Sequence, residues 1–397
     1  MKKFTGFITI LLFSTILTAQ IAEVTNVTAS QRTDGSKIVD IYYDLSDDIT
    51  FSTFTVTVEI SMDGGTIFSP TSYVTGDNGN GIVAGIGKQI EWNLGAEYPG
   101  MFNNQTVIRV VATGRFFIVP FDFVLVVTGD FTYGGGSDIR NIPYDYEMMT
   151  YEVTCADYTT FVLDAMEASQ ITFDGNWVRG YYAGDEQYEP GEYNLLATWE
   201  SHISWNGTTF IVEEGFGDHP VTGVTWFGAN KFAEYYALRL PTEEEWEKAA
   251  RGITGFSYPW GNEIDSSRAN YRLSGDPWDA GDNWEIIATT PVGFYNGQLY
   301  NSFQTTNSPS PYGAYDMVGN VNEWTSSWFE NNNNRHVYRS GTYRWNSWDI
   351  LTYHRWDWNS NDYSRETGFR CVRTISSARA DFLLNNKTAK SKAKSNK

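Results

Sequence analysis

Four histidines and two cysteines are the residues best able to ligate a transition metal or to act as base and nucleophile, and their spacing favours neither role. His202, His219, His336 and His354 are scattered, and Cys155 and Cys371 lie far apart with no CxxC pair, so zinc spacing is absent. His336 and His354 with Asp349 or Asp357 would make a two-histidine, one-carboxylate iron site, yet isolated histidines are more often structural or surface residues. No Ser/His/Asp set has recognisable context, and no glycine-rich loop sits between a strand and a helix to cradle phosphate. Acids are plentiful, but no spacing singles out a glycosidase pair. The outstanding cluster is aromatic: Tyr343, Trp345, Trp348, Trp356 and Trp358 crowd into 16 positions, with Arg344, Asn346, Arg355 and Asp357 between them. Aromatic faces beside polar groups suit a sugar or an extended peptide, and they suit core-building in a loop-rich fold as well. The first reading places ligand contacts on Tyr343, Arg344, Trp345, Asn346 and Trp348.

The chain that must position these residues reads as exported. Met1, Lys2 and Lys3 precede an apolar run from Phe7 to Thr18, and Ala19 and Gln20 supply a small-residue exit, the order of a Sec-type signal peptide over residues 1–20. That run falls short of the roughly 20 residues needed to span a bilayer. The second apolar stretch, Phe116 to Val127, is interrupted by Pro120 and Asp122 and reads as buried strand, so no integral membrane segment is expected after signal removal. The expected location is therefore extracytoplasmic: periplasmic, cell-surface or secreted. There an oxidising milieu permits a Cys155–Cys371 disulfide, and two separately buried thiols are the alternative. With 48 acidic against 28 basic residues and a formal charge of -20, the 397-residue chain would repel nucleic acid. Its 16% aromatic and 41% hydrophobic content against 19% charged excludes a disordered solvating protein.

Over residues 21–114 the pattern is strand after strand. Val39, Ile41, Tyr43 and Leu45 alternate with polar neighbours, as do Phe54, Val56, Val58 and Ile60, and Asp63-Gly64-Gly65 then supplies a hairpin turn. Further strands at Gln89–Asn93 and Thr106–Ala112 complete an all-β sandwich of the immunoglobulin or fibronectin kind. Residues 115–375 are dense in Trp, Tyr, Gly and Asn, and two helices are predicted there. One covers Phe227–Leu238. The other starts at Thr242, which forms a capping box with Glu245, and ends at Gly252. Residues 376–397 read as a disordered basic tail with Lys387, Lys390, Lys392, Lys394 and Lys397.

Within the second region a series of motifs runs in order: Tyr151-Glu152-Val153-Thr154, His219-Pro220-Val221, Arg239-Leu240-Pro241-Thr242-Glu243-Glu244-Glu245-Trp246, Tyr258-Pro259-Trp260-Gly261, Tyr312-Gly313-Ala314-Tyr315-Asp316-Met317-Val318-Gly319-Asn320, and Gly368-Phe369-Arg370-Cys371. The series resembles the sulfatase-modifying-factor family, whose founding activity is the formylglycine-generating enzyme, over roughly residues 121–374. The resemblance implies an α+β, loop-rich, C-type-lectin-like fold in which calcium ions pin the loops. It places one calcium on Asp316, Gly319, Val321 and Glu323, and a second on Asn270, Tyr271, Asp282 and Trp284. It also sets the first and closing motifs on neighbouring strands, which would suit the Cys155–Cys371 bridge.

The founding activity oxidises a sulfatase cysteine with copper held by two cysteines on the loop before Gly368. Here that loop carries Trp345 and Ile350 where the cysteines would stand, so copper is not expected; iron is not expected either, because the histidines are isolated. The reading is a non-catalytic binding or assembly module whose partner is a peptide, a glycan or an envelope protein. The alternative is an oxidase of the formylglycine-generating or nonheme-iron type with a relocated metal site.

Overall fold

A computed structural model describes residues 22–47, 53–82, 85–99, 105–115, 121–279, 281, 283, 286–330 and 334–375. The signal segment, the basic tail, Asp282, Trp284 and residues 116–120 of the second apolar stretch lie outside them. The chain forms two compact units, Met1–Ile118 and Val119–Lys397.

The first unit holds β1 (Ala22–Gln31), β2 (Ile38–Asp47), β3 (Thr53–Ser61), β4 (Ser69–Pro70), β5 (Val74–Gly76), β6 (Gly79–Ile82), β7 (Gly85–Asn93) and β8 (Val107–Arg115), with one helical turn, α1 (Leu94–Glu97). One antiparallel sheet runs β1-β2-β7-β5; in the other, β3 pairs with β4, β6 and β8. The period-two alternation decides what is inside: Val39, Ile41, Tyr43 and Leu45 of β2 and Phe54, Val56, Val58 and Ile60 of β3 join Ile90, Trp92 and Ile108 in one core. The turn after β3 forms as expected, with Gly64 and Gly65 at φ 78° and 95°. Asp63 Oδ1 there accepts from the Thr66 and Ile67 amides at 3.0 Å each.

The second unit contains β9 (Phe123–Val126), β10 (Gly129–Tyr133), β11 (Asp138–Ile142), β12 (Tyr146–Met149), β13 (Ile171–Phe173), β14 (Trp177–Tyr182), β15 (Gly191–Ala197), β16 (Ile203–Trp205), β17 (Phe210–Val212), β18 (Leu299–Tyr300), β19 (Phe303–Gln304), β20 (Asn322–Trp328), β21 (Arg335–Arg339), β22 (Trp356–Asn359), β23 (Thr367–Gly368) and β24 (Val372–Thr374). These make small sheets rather than one large one, the principal orders being β24-β12-β9, β13-β14-β15 and β22-β21-β20-β23. Its helices are α2 (Cys155–Glu167), α3 (Trp226–Tyr235) and α4 (Glu243–Arg251).

Helix α4 matches its sequence signals: Thr242 and Glu245 form the capping box, and Gly252 ends the helix at φ 58°. From Glu245 to Arg251 it is buried all round, however, because its polar face is also paired inside the protein. Glu247 accepts from Arg339 Nη2 at 2.8 Å and from Arg251 Nη2 at 2.5 Å, and Lys248 donates to the Gly129 carbonyl at 2.9 Å. Helix α3 starts at the Thr225 cap and stops short of the predicted Leu238. Helix α2 was not predicted. Its capping box, Thr154 with Asp157, and its buried Tyr158, Phe161, Val162 and Ala165 at helical spacing are both present in the sequence.

The expected Cys155–Cys371 bridge is not formed: both residues are free, buried thiols. The two motifs are neighbours, with the Met149 and Val153 amides donating to the Cys371 and Phe369 carbonyls at 2.9 Å each. The Cys155 thiol nevertheless has a partner of its own. Cys155 opens α2 with Sγ toward the Pro220 carbonyl at 3.5 Å, whereas the Cys371 amide lies 3.4 Å from Met149 Sδ. The alternative of two small buried hydrophobes is the one realised.

Candidate functional site

The aromatic loop leaves β21 at Arg339 and is tied down at its root. Ser340 Oγ donates to the Gly319 carbonyl at 3.0 Å, and the Tyr343 amide to the Asn320 carbonyl at 2.9 Å. Gly341 has φ 103°, and a Cβ there would stand 2.6 Å from Ile350 Cγ2, so the loop closes directly upon itself. Ile350 is fully buried with Tyr258, Ala269 and Val318, and Trp345, Trp260 and Tyr271 pack on that cluster. Trp345 and Ile350, where the resemblance expects the copper thiolates, thus form an apolar plug without a soft donor.

The five expected ligand residues divide by exposure. Tyr343 is buried and its hydroxyl donates to the Arg365 carbonyl at 3.0 Å, which makes it part of the frame. Arg344 reaches Glu366 at 3.4 Å and the Ile286 carbonyl at 3.3 Å. Asn346 accepts from Arg272 Nη1 and donates to Asp349 Oδ2, both at 3.3 Å. Trp348 is 66% exposed and Trp356 43% exposed, and Trp345 meets Trp356 edge-on with ring centroids 5.2 Å apart. The surface therefore offers two open indoles, a half-buried third, and an Arg–Asn–Asp chain beside them. Trp356 and Arg272 lie outside the predicted contact set; Trp356 stands in the same aromatic run, whereas Arg272 arrives from a distant loop.

The histidines are not assembled into an iron site. His336 lies between Trp226 and Trp328, at centroid distances of 3.9 and 3.8 Å, and Nδ1 is 2.7 Å from Ser360 Oγ; burial pushes it down to about 3. His354 Nδ1 lies 2.9 Å from the Asp349 carbonyl, and Asp357 is paired with Arg335.

At the first expected calcium set, Glu323 is engaged by Arg370 Nε and Nη2 at 2.7 and 2.8 Å and by Trp246 Nε1 at 2.9 Å. Arg370 also donates to the Met149, Thr150 and Tyr315 carbonyls at 3.3, 3.2 and 2.9 Å. Asp316 Oδ2 accepts from the Gly293 amide at 2.5 Å. Glu152, outside the expected calcium set, joins this group: Oε2 accepts from Asn320 Nδ2 at 3.0 Å, and buried Oε1 has no partner among the described residues. Burial and mutual repulsion raise Asp316 to about 6 and hold Glu152 well above the usual carboxylate range. Three buried carboxylates face one guanidinium here, and this oxygen-rich excess of negative charge fits a hard divalent cation. Among the described residues, no three His, Cys, Asp or Glu side chains converge on one point, so backbone carbonyls would have to complete such a site. Of the second set, Asn270 and Tyr271 lie beside the aromatic loop. Asn270 lines a narrow pocket with Arg272, Asp279, Asn283, Tyr343 and Arg344, and it accepts the Asn320 amide on its carbonyl at 2.9 Å.

Residues 119–375 match the sulfatase-modifying factor enzyme 1-like domain, and the chain belongs to that family. It is 35% identical over 202 residues to the serine/threonine-protein kinase pkn1 of Chlamydia pneumoniae, covering 46% of this chain and 29% of that one. It is 41% identical over 114 residues to the inactive C-alpha-formylglycine-generating enzyme 2 of Bos taurus, covering 28% and 34%. With the formylglycine-generating enzyme of Thermomonospora curvata it shares 37% identity over 113 residues, covering 28% and 34%. The chain thus spans about a third of the length of these relatives. Among solved structures, CarF superposes with a TM-score of 0.42 at 22% identity, over 65% of this chain and 100% of that one.

Proposed function

We propose that this is an exported protein whose sulfatase-modifying-factor domain binds a ligand and does not oxidise a cysteine. The observation that carries the reading is the plug: Ile350 is buried and Trp345 packs upon it where the family's chemistry needs two thiolates. Similarity to a relative named as inactive supports it. The ligand is a glycan or an extended peptide lying across Trp348 and Trp356, with Asn346 and Arg272 supplying directed hydrogen bonds. Calcium at Asp316, Glu152 and neighbouring carbonyls steadies the loops beneath this surface. The first unit is a β-sandwich of the immunoglobulin or fibronectin kind that serves as spacer or docking module, and residues 1–20 direct export.

The test is mass spectrometry of a sulfatase-type cysteine peptide incubated with the purified protein, copper(I) and oxygen, run beside glycan and peptide arrays. The reading expects no formylglycine above a no-protein control, together with array binding that Trp348→Ala removes. Formylglycine formation by the folded protein would overturn it.

A further inference from the structure

A groove of about 300 Å³ lies between the β11–β12 turn and the first turn of α4, with Pro143 and Tyr144 on one wall and Glu243 and Glu244 on the other. Its rim is both apolar and acidic. Tyr144 is 40% exposed, and Ile139, on the same face of β11 as the groove's Asn141, is 55% exposed. Glu243 is paired with Arg355 and Arg339, so the open charge is carried by its neighbours. Arg140 is shared between Glu244 and Asp138, and Asp130 accepts from Asn141 Nδ2 at 2.7 Å. Lys248, the other cation nearby, is buried with its ammonium on the Gly129 carbonyl. Three carboxylates thus meet two cations, and the rim stays negative.

Residues 376–397 are opposite in charge. Of the chain's 48 acidic residues they hold one, Asp381, and of its 28 basic residues they hold six, Arg379, Lys387, Lys390, Lys392, Lys394 and Lys397. They also contain one apolar run, Phe382-Leu383-Leu384. The chain departs toward them beside the groove. Thr374 pairs with Tyr146, so an antiparallel course beyond it runs back along Asp145 and Tyr144. Arg239 joins the two places: it donates to Thr374 Oγ1 at 3.2 Å and to both Glu245 oxygens at 2.6 Å, and Glu245 Oε1 accepts the Tyr144 hydroxyl at 3.1 Å. Phe382–Leu384 follow Ile375 by seven to nine residues, a reach of up to about 23–30 Å. We propose that residues 376–387 of this chain dock in this groove in cis. Phe382–Leu384 cover Pro143, Tyr144 and Ile139, while Arg379 and Lys387 face Glu244, Asp138 and Asp130. So short a tether gives an effective concentration in the millimolar range, at which a contact of about millimolar intrinsic affinity is half occupied. This docking leaves the aromatic loop untouched, and it stands or falls apart from the ligand-binding reading.

The experiment is hydrogen exchange on the purified full chain, beside a chain stopped after Ile375 and the double variant Phe382→Ser with Leu384→Ser. Both variants leave every described residue in place. In the full chain the amides of residues 382–384 should exchange about tenfold more slowly than in an unprotected peptide, and dilution should not change this. Exchange over residues 139–145 should rise when the segment is removed and equally in the double variant. Unprotected exchange at 382–384, or exchange over 139–145 that is the same in the stopped chain, would overturn the assignment. Protection lost on dilution would put the segment on a second copy and overturn it as well.

Discussion

The two units reach order by opposite routes. Among the described residues of the first, no charged side chain is buried; its core is apolar, and its ion pairs, such as Arg109 with Glu59, remain partly open to solvent. The second buries Glu245, Glu247, Lys248, Arg251, Glu323, Arg339 and Arg370. Long strands satisfy their own backbone, so side chains are free to be apolar, whereas loops leave carbonyls that need donors. Arg370 meets that need, closing three carbonyls and a carboxylate with one side chain.

The largest test of this contrast is Glu323→Gln, measured in EGTA so that no cation contributes. It leaves the Arg370 guanidinium buried beside a neutral amide, and a broken buried pair costs about 3–5 kcal/mol. Hydrogen exchange should show the second unit opening more readily while β2 and β3 keep their protection. A loss below about 1 kcal/mol would mean that the ion pair is ornamental and that the aromatic packing holds the loops.

How much was legible in the sequence follows from the same contrast. Alternation in β2 and β3 is a local signal, and the hairpin at Asp63 and the capping box of α4 are local too, so all three are legible in the sequence. The burial of the polar face of α4 is not, because Glu247 finds Arg339 far along the chain. Helix α2 carries local signals of the same kind, the Thr154–Asp157 capping box and the helical spacing of Tyr158, Phe161, Val162 and Ala165. The aromatic run predicted a surface, but only the fold could sort Tyr343 into the frame and Trp348 into solvent. Glu152 and Arg370 were visible as motif letters, and their shared charge balance is a property of the assembled interior.

Acid should also separate the units. His336, held neutral between Trp226 and Trp328, has Asp185 as its charged neighbour, which favours protonation but is outweighed by burial. Its folded value of about 3 lies below the usual value near 6.5, so its contribution is complete above about 6.5 and is lost as the pH falls from there toward 3. At pH 5 the loss is about 2 kcal/mol at about 1.4 kcal/mol per pH unit. Urea unfolding of the wild type and His336→Gln at pH 7.5 and 5 measures this as a difference. If the two proteins share one pH slope, the buried histidine is not its source.

Gly319→Ala probes the loops through the backbone. At φ 78° with a Cβ only 2.2 Å from the Asn270 carbonyl oxygen, alanine is both strained and crowded. The cost is about 1–3 kcal/mol, and it should appear as increased exchange at Asn320, whose amide uses that same carbonyl. The turn glycine Gly64, at the same φ of 78° but with open space around it, should lose only about 1 kcal/mol on the same change. Equal losses at the two sites would show that conformation rather than contact sets the cost in both units.

The smallest expected effect on stability belongs to Trp348. Its indole is 66% exposed and its neighbours on the loop are held by Gly341, Ile350 and the Arg272–Asn346 bond, none of which needs the ring. Trp348→Ala should therefore change unfolding free energy by less than about 0.5 kcal/mol, as surface substitutions away from packed features do. Trp345→Ala, by contrast, removes a side chain packed on Ile350 and should cost about 2–4 kcal/mol, near the lower end of core aromatic truncations because the ring is only half buried. The pair of variants separates frame from surface: ligand capture lost in Trp348→Ala at unchanged stability places binding on the open face. A marked loss of stability in Trp348→Ala would instead make this tryptophan part of the core and remove the surface on which the ligand reading rests.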